Sequence, residues 1–248
     1  MYDSPGYLWV ITVAGVFAIP ALTCVVLYGG ARRSGLGRGG AAAIAGSAAV
    51  ILGGWFTVSA MIAGRGWYHT RIGHEVPWMP IAVVGFLGTL LLLSRIPVVT
   101  RALEAPGMMS DLVLPHMFRV AGVSFLIAMF LGHLPALFAI PAGLGDIAVG
   151  FAAPRVALRL RRGTGLRTAR WFNILGMADL VVALTLGGIV GFQLFNITPS
   201  GESISELPLA LIPTAVVPLL LTLHIISMRA LARARRTPVT AATSVLVG

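Results

Sequence analysis

The sequence predicts an all-α integral membrane protein built as a bundle of seven transmembrane helices. Hydrophobic residues make up 57% of the 248-residue chain and charged residues only 10%, and the mean hydropathy is +0.92. A soluble globular domain carries about 25% charged residues, and a disordered chain is poor in hydrophobic residues. The composition therefore excludes both of these classes.

Seven apolar segments have the length of about 17–25 residues that crosses a bilayer as a helix. The fourth and fifth are separated by only residues 133–134, which predicts a tight helical hairpin. The connection 95–111 has room for a short interfacial helix. We expect one transmembrane domain over residues 1–248, with a cytoplasmic tail at 232–248 and a first span that is retained rather than cleaved as a signal. The predicted spans are 7–29, 41–62, 78–94, 112–132, 135–153, 171–192 and 207–231.

The distribution of arginine predicts the orientation. The formal net charge is +10, and all 18 basic residues are arginine. In a seven-span chain, spans one, three, five and seven end on one side, and the segments that follow them, together with the last turn of span seven, carry three, two, six and four arginines. The opposite side has only Arg65 and Arg71. Because basic residues favour the cytoplasmic side, we expect the N-terminus outside and the C-terminus inside, in a bacterial cytoplasmic membrane.

Arg119, Asp146, Asp179 and His224 are ionisable residues inside predicted spans, and each is on a different helix. At a rise of 1.5 Å per residue, each is about 10–12 Å from the cytoplasmic boundary of its span. The four should therefore form one layer in the cytoplasmic half of the bundle. Ionisable groups within a membrane usually face the bundle interior and mark a pathway for a substrate or an ion.

The neighbouring residues indicate close packing around this layer. Ala142 and Gly150 share a helical stripe with Asp146, and Gly176 lies three residues before Asp179, so another backbone can approach at each place. His116 and Asn173 lie toward the cytoplasm from the charged residues. Both are candidates to extend the polar layer.

Two interpretations of the layer are open. In the first, the protein is a small transporter or permease coupled to protons or a cation, with an unidentified small substrate. Asp146 and Asp179 would then titrate or bind the ion, and Arg119 would be the counter-charge or an anion clamp. His224 would relay protons. In the second, the ion pairs hold the helices of a non-transporting assembly or lipid-associated protein together.

The charge count favours the first interpretation, because one arginine against two aspartates leaves a charge of −1 unless His224 is protonated. Pro208, Pro213 and Pro218 also predict a kinked seventh span, as is common in transporters.

The arginines between spans five and six have two interpretations as well. They are typical of segments that anchor a cytoplasmic loop. They could also bind anionic lipid headgroups, and the candidates for this are Arg155, Arg159, Arg161 and Arg162. Since orientation accounts for the arginines, we expect lipid rather than nucleic acid as their partner. A homo-oligomer is compatible with the sequence.

An enzyme is the third possibility, and the sequence predicts neither a cofactor nor a metal site. Lysine is absent, so a retinal Schiff base cannot form. His69, His74 and Glu75 do not have the spacing of a zinc motif. Haem ligation needs two histidines at one depth, whereas His116 and His224 are about three to five residues apart in depth.

Residues 17–21 and 138–142 both read FAIPA, on spans one and five. This offset pairs spans one to three with five to seven and leaves span four as a linker. Such a parallel 3 + 1 + 3 plan is similar to that of the SWEET sugar transporters, although spans two and six lack the prolines of that family.

The stretch 116–180 resembles a group of uncharacterised bacterial integral membrane proteins. The resemblance rests on four segments, HMFRVAG (116–122), LPALFAIPAGLGD (134–146), AAP (152–154) and NILGMADL (173–180). It implies no activity, but its segments contain most of the polar residues selected by depth.

Overall fold

The computed structural model describes residues 5–69 and 76–236, and within these ranges it consists of helices and the turns that connect them. Two 3₁₀ helices, at Leu114–Gly122 and Glu202–Ser205, and a π-helical turn at Ile212–Val216 interrupt the α-helices. The α-helices are α1 (Gly6–Arg33), α2 (Arg38–Gly64), α3 (Trp78–Leu93), α4 (Pro97–Leu103), α5 (Met108–Asp111), α6 (Val123–Phe130), α7 (Ala136–Arg161), α8 (Leu166–Gly191) and α9 (Val217–Arg236).

Six segments of the described chain are long and apolar enough to cross a membrane. They are α1, α2, Met108–Phe130, α7, α8 and Ile212–Ala234. The predicted third span corresponds to α3, which has 16 residues and turns through 87° into α4. It makes a seventh span only if this bent pair is counted as one. The helices therefore support a multi-pass membrane protein, with α4 and α5 in the connection where a short helix was predicted.

Three helices extend further on their arginine-rich sides than the predicted spans. α7 continues to Arg161 instead of residue 153, α8 begins at Leu166 instead of 171, and α9 continues to Arg236 instead of 231. Arginines near a span boundary are compatible with helix, so an apolar count ends a helix too early. The predicted tail thus begins later than residue 232, and its residues 237–248 lie outside the described part.

The predicted fourth span is not a continuous α-helix. Leu114–Gly122 forms a 3₁₀ helix, and α6 follows from Val123. Because a 3₁₀ helix has three residues per turn, His116, Arg119 and Gly122 lie above one another on one face, and all three are buried. A glycine on α7 allows that helix to approach the 3₁₀ helix closely: a Cβ on Gly150 would lie 2.7 Å from the backbone nitrogen of Val120.

The irregularity predicted for the seventh span is a π-helical turn. Pro213 lies within it, and the regular helix α9 starts only after it. Pro218 has no N–H to donate to the carbonyl of Thr214, four residues earlier. The indole of Trp55 on α2 donates to that carbonyl instead, at 2.9 Å. A side chain from another helix therefore satisfies the backbone group that the proline leaves free.

The core of the bundle forms around α9. Leu220 of α9 packs in one cluster with Val16 of α1, Leu52 of α2, Phe86 of α3 and Leu180 of α8. α7 packs on the other side, against the 3₁₀ helix and α8. The polar residues of α7, α8 and α9 therefore face a common interior.

Trp67, Tyr68 and Trp78 lie at the outer boundary of the predicted spans, a position that predicts an aromatic belt at the membrane interface. Trp67 and Trp78 are 49% and 41% exposed and stack with their ring centroids 6.1 Å apart, as aromatic residues of an interfacial belt can. Tyr68 is only 2% exposed, so its assignment to that belt is wrong. Its hydroxyl pairs with that of Ser59 at 2.9 Å, and burial raises its pKa.

The two FAIPA segments bury different positions. In the first copy Ile19 and Pro20 are buried and Phe17 is exposed, whereas in the second Phe138 is buried and Ile140 exposed. The two segments thus turn different faces to the core. The internal repeat stays a prediction.

Candidate functional site

The six residues predicted for the polar layer form one contiguous cluster inside the bundle. They come from the 3₁₀ helix, α7, α8 and α9, and are His116, Arg119, Asp146, Asn173, Asp179 and His224. Asp179 lies 13 residues after the start of α8 and 12 before its end. Because the helices are longer than predicted, Asp179 and the groups paired with it lie near the middle of α8.

Arg119 is the centre of the cluster. Its Nε donates to Oδ1 of Asp146 at 2.7 Å, and its Nη2 donates to Oδ2 of Asp179. Nη1 points to the carbonyl of Gly176 at 3.4 Å. The arginine side chain is 1% exposed, and a charge so deeply buried is stable only when it is paired. One guanidinium thereby connects the 3₁₀ helix to both α7 and α8.

Glycines opposite these side chains allow the close approach. A Cβ on Gly122 would lie 2.7 Å from Oδ2 of Asp146, and one on Gly145 would overlap the carboxylate of Asp179. At Gly176 a Cβ would lie 2.5 Å from the ring of His224. Sequence reasoning identified Gly176 but missed Gly122 and Gly145. The position of Gly122 three residues after Arg119 is a signal only if the segment is known to be a 3₁₀ helix.

Asn173 determines the proton position on His224. Its Nδ2 donates to the carbonyl of Ala169 at 2.8 Å and contacts Oγ of Ser227 at 3.0 Å, so Oδ1 is the atom that faces His224. Oδ1 lies 2.9 Å from Nδ1 of His224, which must therefore carry the hydrogen. Ser227 was not identified from the sequence.

The other ring nitrogen of His224 faces Arg119. Nε2 lies 3.5 Å from Nη1 of the arginine, in the position of an acceptor. A second proton on this nitrogen would point an N–H at the guanidinium and bring two positive charges together. His224 is thus arranged as a neutral acceptor, so it adds nothing to the formal charge of −1 of one arginine and two aspartates.

His116 contacts the cluster through its ring face. Its ring lies 3.9 Å from that of His224, centroid to centroid, and the edge of Phe172 is packed against it. The two rings are therefore in contact, whereas the count from the sequence separated the two histidines by about three to five residues in depth. Stacked rings leave no space for an iron between them, so the geometry does not fit bis-histidine haem ligation. Nδ1 of His116 is buried without a hydrogen-bond partner among the described residues.

A cleft of about 250 Å³ reaches the cluster from one end of the bundle. It extends from Tyr68 and Ser205 down to Leu180 and Asp146. The side chains of Asp146 and Asp179 are 14% and 17% exposed, in contrast to 1% for Arg119. The carboxylates are thus accessible where the guanidinium is not.

A second, smaller cavity of about 30 Å³ adjoins Arg119 and Asp146 on the side of α1. Thr12 lines it, and its buried hydroxyl has no hydrogen-bond partner in the described part of the chain. The volume is sufficient for a water molecule between polar groups. α1 therefore contributes a polar group near the cluster that the sequence analysis did not identify.

The arginines predicted to bind lipid lie at the end of α7 and are exposed. Arg161 donates to Asp111 at 3.1 Å, and Arg33 donates to the same carboxylate at 2.6 Å. Arg155 donates to the carbonyl of Phe151 in its own helix. Arg159 contacts the hydroxyl of Thr168 at 3.5 Å, and Arg162 caps the helix end.

The histidine-rich loop is only partly described. His69 lies 3.7 Å from Glu206, while His74 and Glu75 lie outside the described residues. Within residues 5–69 and 76–236, no group of three His, Cys, Asp or Glu side chains is placed to hold a metal ion.

The comparisons with known proteins assign the chain to a family. The sequence model of a family described as Domain of unknown function (DUF8737) matches residues 76–232. The chain belongs to this family. The DUF8737 match includes all six residues of the polar cluster, whereas Thr12 on α1 lies outside it. The search of curated proteins and the search of solved structures each gave no match. The expected membership in an uncharacterised family is thus confirmed.

Proposed function

We propose that this DUF8737 protein is a small transporter coupled to protons or to a monovalent cation, and that Arg119, Asp146 and Asp179 form its coupling site. The observation that carries the proposal is a buried cluster of formal charge −1 in which the carboxylate of Asp146 lines a cleft. A cluster that only held helices together would have no need for an uncompensated charge or for access to its carboxylates.

The charge balance supports the coupling role. His224 is oriented by Asn173 as a neutral acceptor, so it does not neutralise the second aspartate. A proton or a cation bound at a carboxylate would bring the cluster to neutrality, which favours burial in a low-dielectric interior. Loading and unloading that cation would change the strength of the ion pairs between the 3₁₀ helix, α7 and α8. This is the type of change that can shift packed helices between two arrangements.

We also propose the topology predicted from the arginines. In it the bent pair α3 and α4 provides the third of seven spans, the N-terminus lies outside and the C-terminus lies in the cytoplasm. The parallel 3 + 1 + 3 arrangement and a bacterial cytoplasmic membrane belong to this proposal. Arginines at the helix ends flank the turn between α1 and α2, and they flank the loop between α7 and α8 as well, as expected of cytoplasmic connections.

The test of transport uses purified protein in proteoliposomes. A panel of radiolabelled amines, amino acids, carboxylates and sugars is applied under an imposed proton or sodium gradient, and uptake of the label is recorded. We expect at least one class of solute to show gradient-dependent uptake in the wild type. Asp146→Asn and Asp179→Asn should abolish this uptake while remaining monodisperse, and the exposed control Glu202→Gln should retain it. Loss of folding in both aspartate variants, with no uptake in the wild type, would refute the proposal.

A structural role is the second candidate, and the burial of Arg119 favours it. The guanidinium is 1% exposed and contacts groups on α7, α8 and α9, as polar groups that hold membrane helices together do. In this case the protein would be a non-transporting assembly or lipid-associated factor. The stability of a charge-free variant, described in the Discussion, separates the two candidates.

A further inference from the structure

The cleft above the polar cluster has an unusual combination of lining groups. Its wall is almost entirely apolar, and Asp146 is the one charged residue that lines it in the described part of the chain. Arg119, which neutralises part of that carboxylate, does not line the cleft. A molecule in the cleft would therefore meet a carboxylate at the end of a hydrophobic pocket.

We propose that the cleft binds a small lipophilic cation, namely an organic amine with a single aromatic or branched aliphatic group, with its ammonium group at Asp146. This inference rests on the proposed function and names its class of substrate. The ammonium would approach Oδ2 of Asp146, because Arg119 contacts Oδ1.

The charge of the site selects a cation. The cluster already carries −1, so an anion entering the cleft would meet an unneutralised carboxylate and lose its hydration without compensation. An ammonium would bring the cluster to neutrality. Phe125 and Phe138 also line the cleft, and their rings form an edge-to-face pair with centroids 5.1 Å apart. The faces of aromatic rings attract cations as well.

The remaining lining selects a lipophilic molecule. Besides Asp146, the polar side chains on the wall are those of Tyr68 and Ser205, and the tyrosine hydroxyl already pairs with Ser59. A sugar or an amino acid would leave most of its polar groups without hydrogen-bond partners, which disfavours its binding. The volume of about 250 Å³ lies just below the range of about 300–1,000 Å³ for small-molecule pockets, which favours one ring with a short chain.

Because the organic cation and the coupling cation would compete for the same carboxylate, we expect them to be exchanged for one another. If the cluster holds one net positive charge at a time, the organic cation and the coupling proton or metal cation displace each other from Asp146. Transport would then be an antiport, in which the ammonium leaves on one side as the other cation binds. This follows from the charge count and requires no group beyond those of the cluster.

The test measures binding in detergent, without any flux, using three probes of similar shape. Radiolabelled 2-phenylethylammonium is the cationic probe, 2-phenylethanol the neutral one and 3-phenylpropionate the anionic one. By equilibrium dialysis we expect saturable binding of one ammonium per chain, with at least about tenfold lower affinity for the other two, a difference of about 1.4 kcal/mol. Asp146→Asn should lower the affinity for the ammonium by a similar factor.

Two variants of α8 keep the test valid if Asp146→Asn fails to fold. Ala183 lines the cleft, so Ala183→Phe should fill it and abolish binding. Its neighbour Val182 is 46% exposed on another face, so Val182→Phe is the matched control and should bind normally. Equal affinity for the alcohol and the ammonium, or unchanged binding in Ala183→Phe, would overturn the inference and indicate a pocket for a lipid chain. Absence of ammonium binding would overturn it too.

The two proposals fail in different ways. If the ammonium binds but no gradient drives its uptake, the site exists and the transport proposal is wrong. If another class of solute is taken up while the ammonium does not bind, transport holds and the assigned substrate is wrong.

Discussion

Nδ1 of His224 lies 2.9 Å from Oδ1 of Asn173, and this contact determines which nitrogen of the histidine carries the hydrogen. Because the amide nitrogen of Asn173 is held by the carbonyl of Ala169, its oxygen is available only as an acceptor for the histidine. The opposite ring nitrogen then faces Arg119 as an acceptor. The one positive charge of the cluster is thus that of the arginine.

The first prediction concerns the protonation of His224. We expect a neutral ring with hydrogen on Nδ1 throughout about pH 5–8, although free histidine changes charge in that range. Solid-state ¹⁵N NMR of histidine-labelled protein measures this, with His224→Gln to assign the signal. Asn173→Leu should shift the ring toward the other tautomer. A doubly protonated His224 in the wild type would contradict the charge count.

The second prediction separates ion pairing from charge itself. Arg119→Met leaves two buried carboxylates without their partner, and we expect it to destabilise the fold by about 3–5 kcal/mol. The variant Arg119→Met/Asp146→Asn/Asp179→Asn removes all three charges and should recover most of that loss. Thermal unfolding in detergent gives the comparison. If the triple variant is as unstable as the single one, the charges themselves hold the bundle together, which favours the structural candidate.

The third prediction tests the contact between α7 and the 3₁₀ helix. Gly150→Ala would place a Cβ 2.7 Å from the backbone nitrogen of Val120, so one helix must move. We expect a loss of about 1–3 kcal/mol, the usual effect of overpacking. In the control Gly54→Ala on α2, nothing lies within 4 Å of the new methyl group. That variant should be neutral or slightly stabilising because alanine favours helix. Equal stability of the two variants would refute the close approach.

The fourth prediction addresses the arginines at the end of α7. All four arginines are exposed, but Arg161 shares Asp111 with Arg33. The test therefore uses Arg155, Arg159 and Arg162. Replacing these three by glutamine should reduce the amount of phosphatidylglycerol retained by the protein in mixed micelles, by about 1 kcal/mol for each arginine near the lipid surface. Native mass spectrometry measures the retained lipid. Unchanged retention, with Arg65→Gln as the control from the other side, would restrict these arginines to orienting the chain.

The fifth prediction decides between six and seven spans. Cys24 is the single cysteine, so Cys24→Ala provides a background for single-cysteine variants. Arg65 and Arg95 flank α3 and are both exposed. On intact cells a membrane-impermeant maleimide should label Arg65→Cys but not Arg95→Cys, and permeabilised cells should show both. Labelling of both residues from outside would mean that α3 does not cross the membrane.

The depth count from the sequence brought the right residues together despite wrong helix ends. Asp146, Asp179 and His224 were placed relative to predicted helix ends. Those ends leave out the last five to eight helical residues on the side that is rich in arginine. The error is of similar size in all three helices, so their relative level was preserved. Helical rise is constant, and relative depth is therefore more predictable than the position of a helix terminus.

The sequence by itself determined the membrane class, the sidedness pattern of the arginines and the members of the polar cluster. These follow from composition and from the high cost of an unpaired charge in a bilayer, which act on each residue whatever its neighbours. Only the tertiary structure decided that residues 114–122 wind as a 3₁₀ helix, that Gly145 makes room for Asp179 and that Asn173 orients His224. Those features depend on which helices touch, and contacts between distant parts of a chain are not encoded in any local pattern.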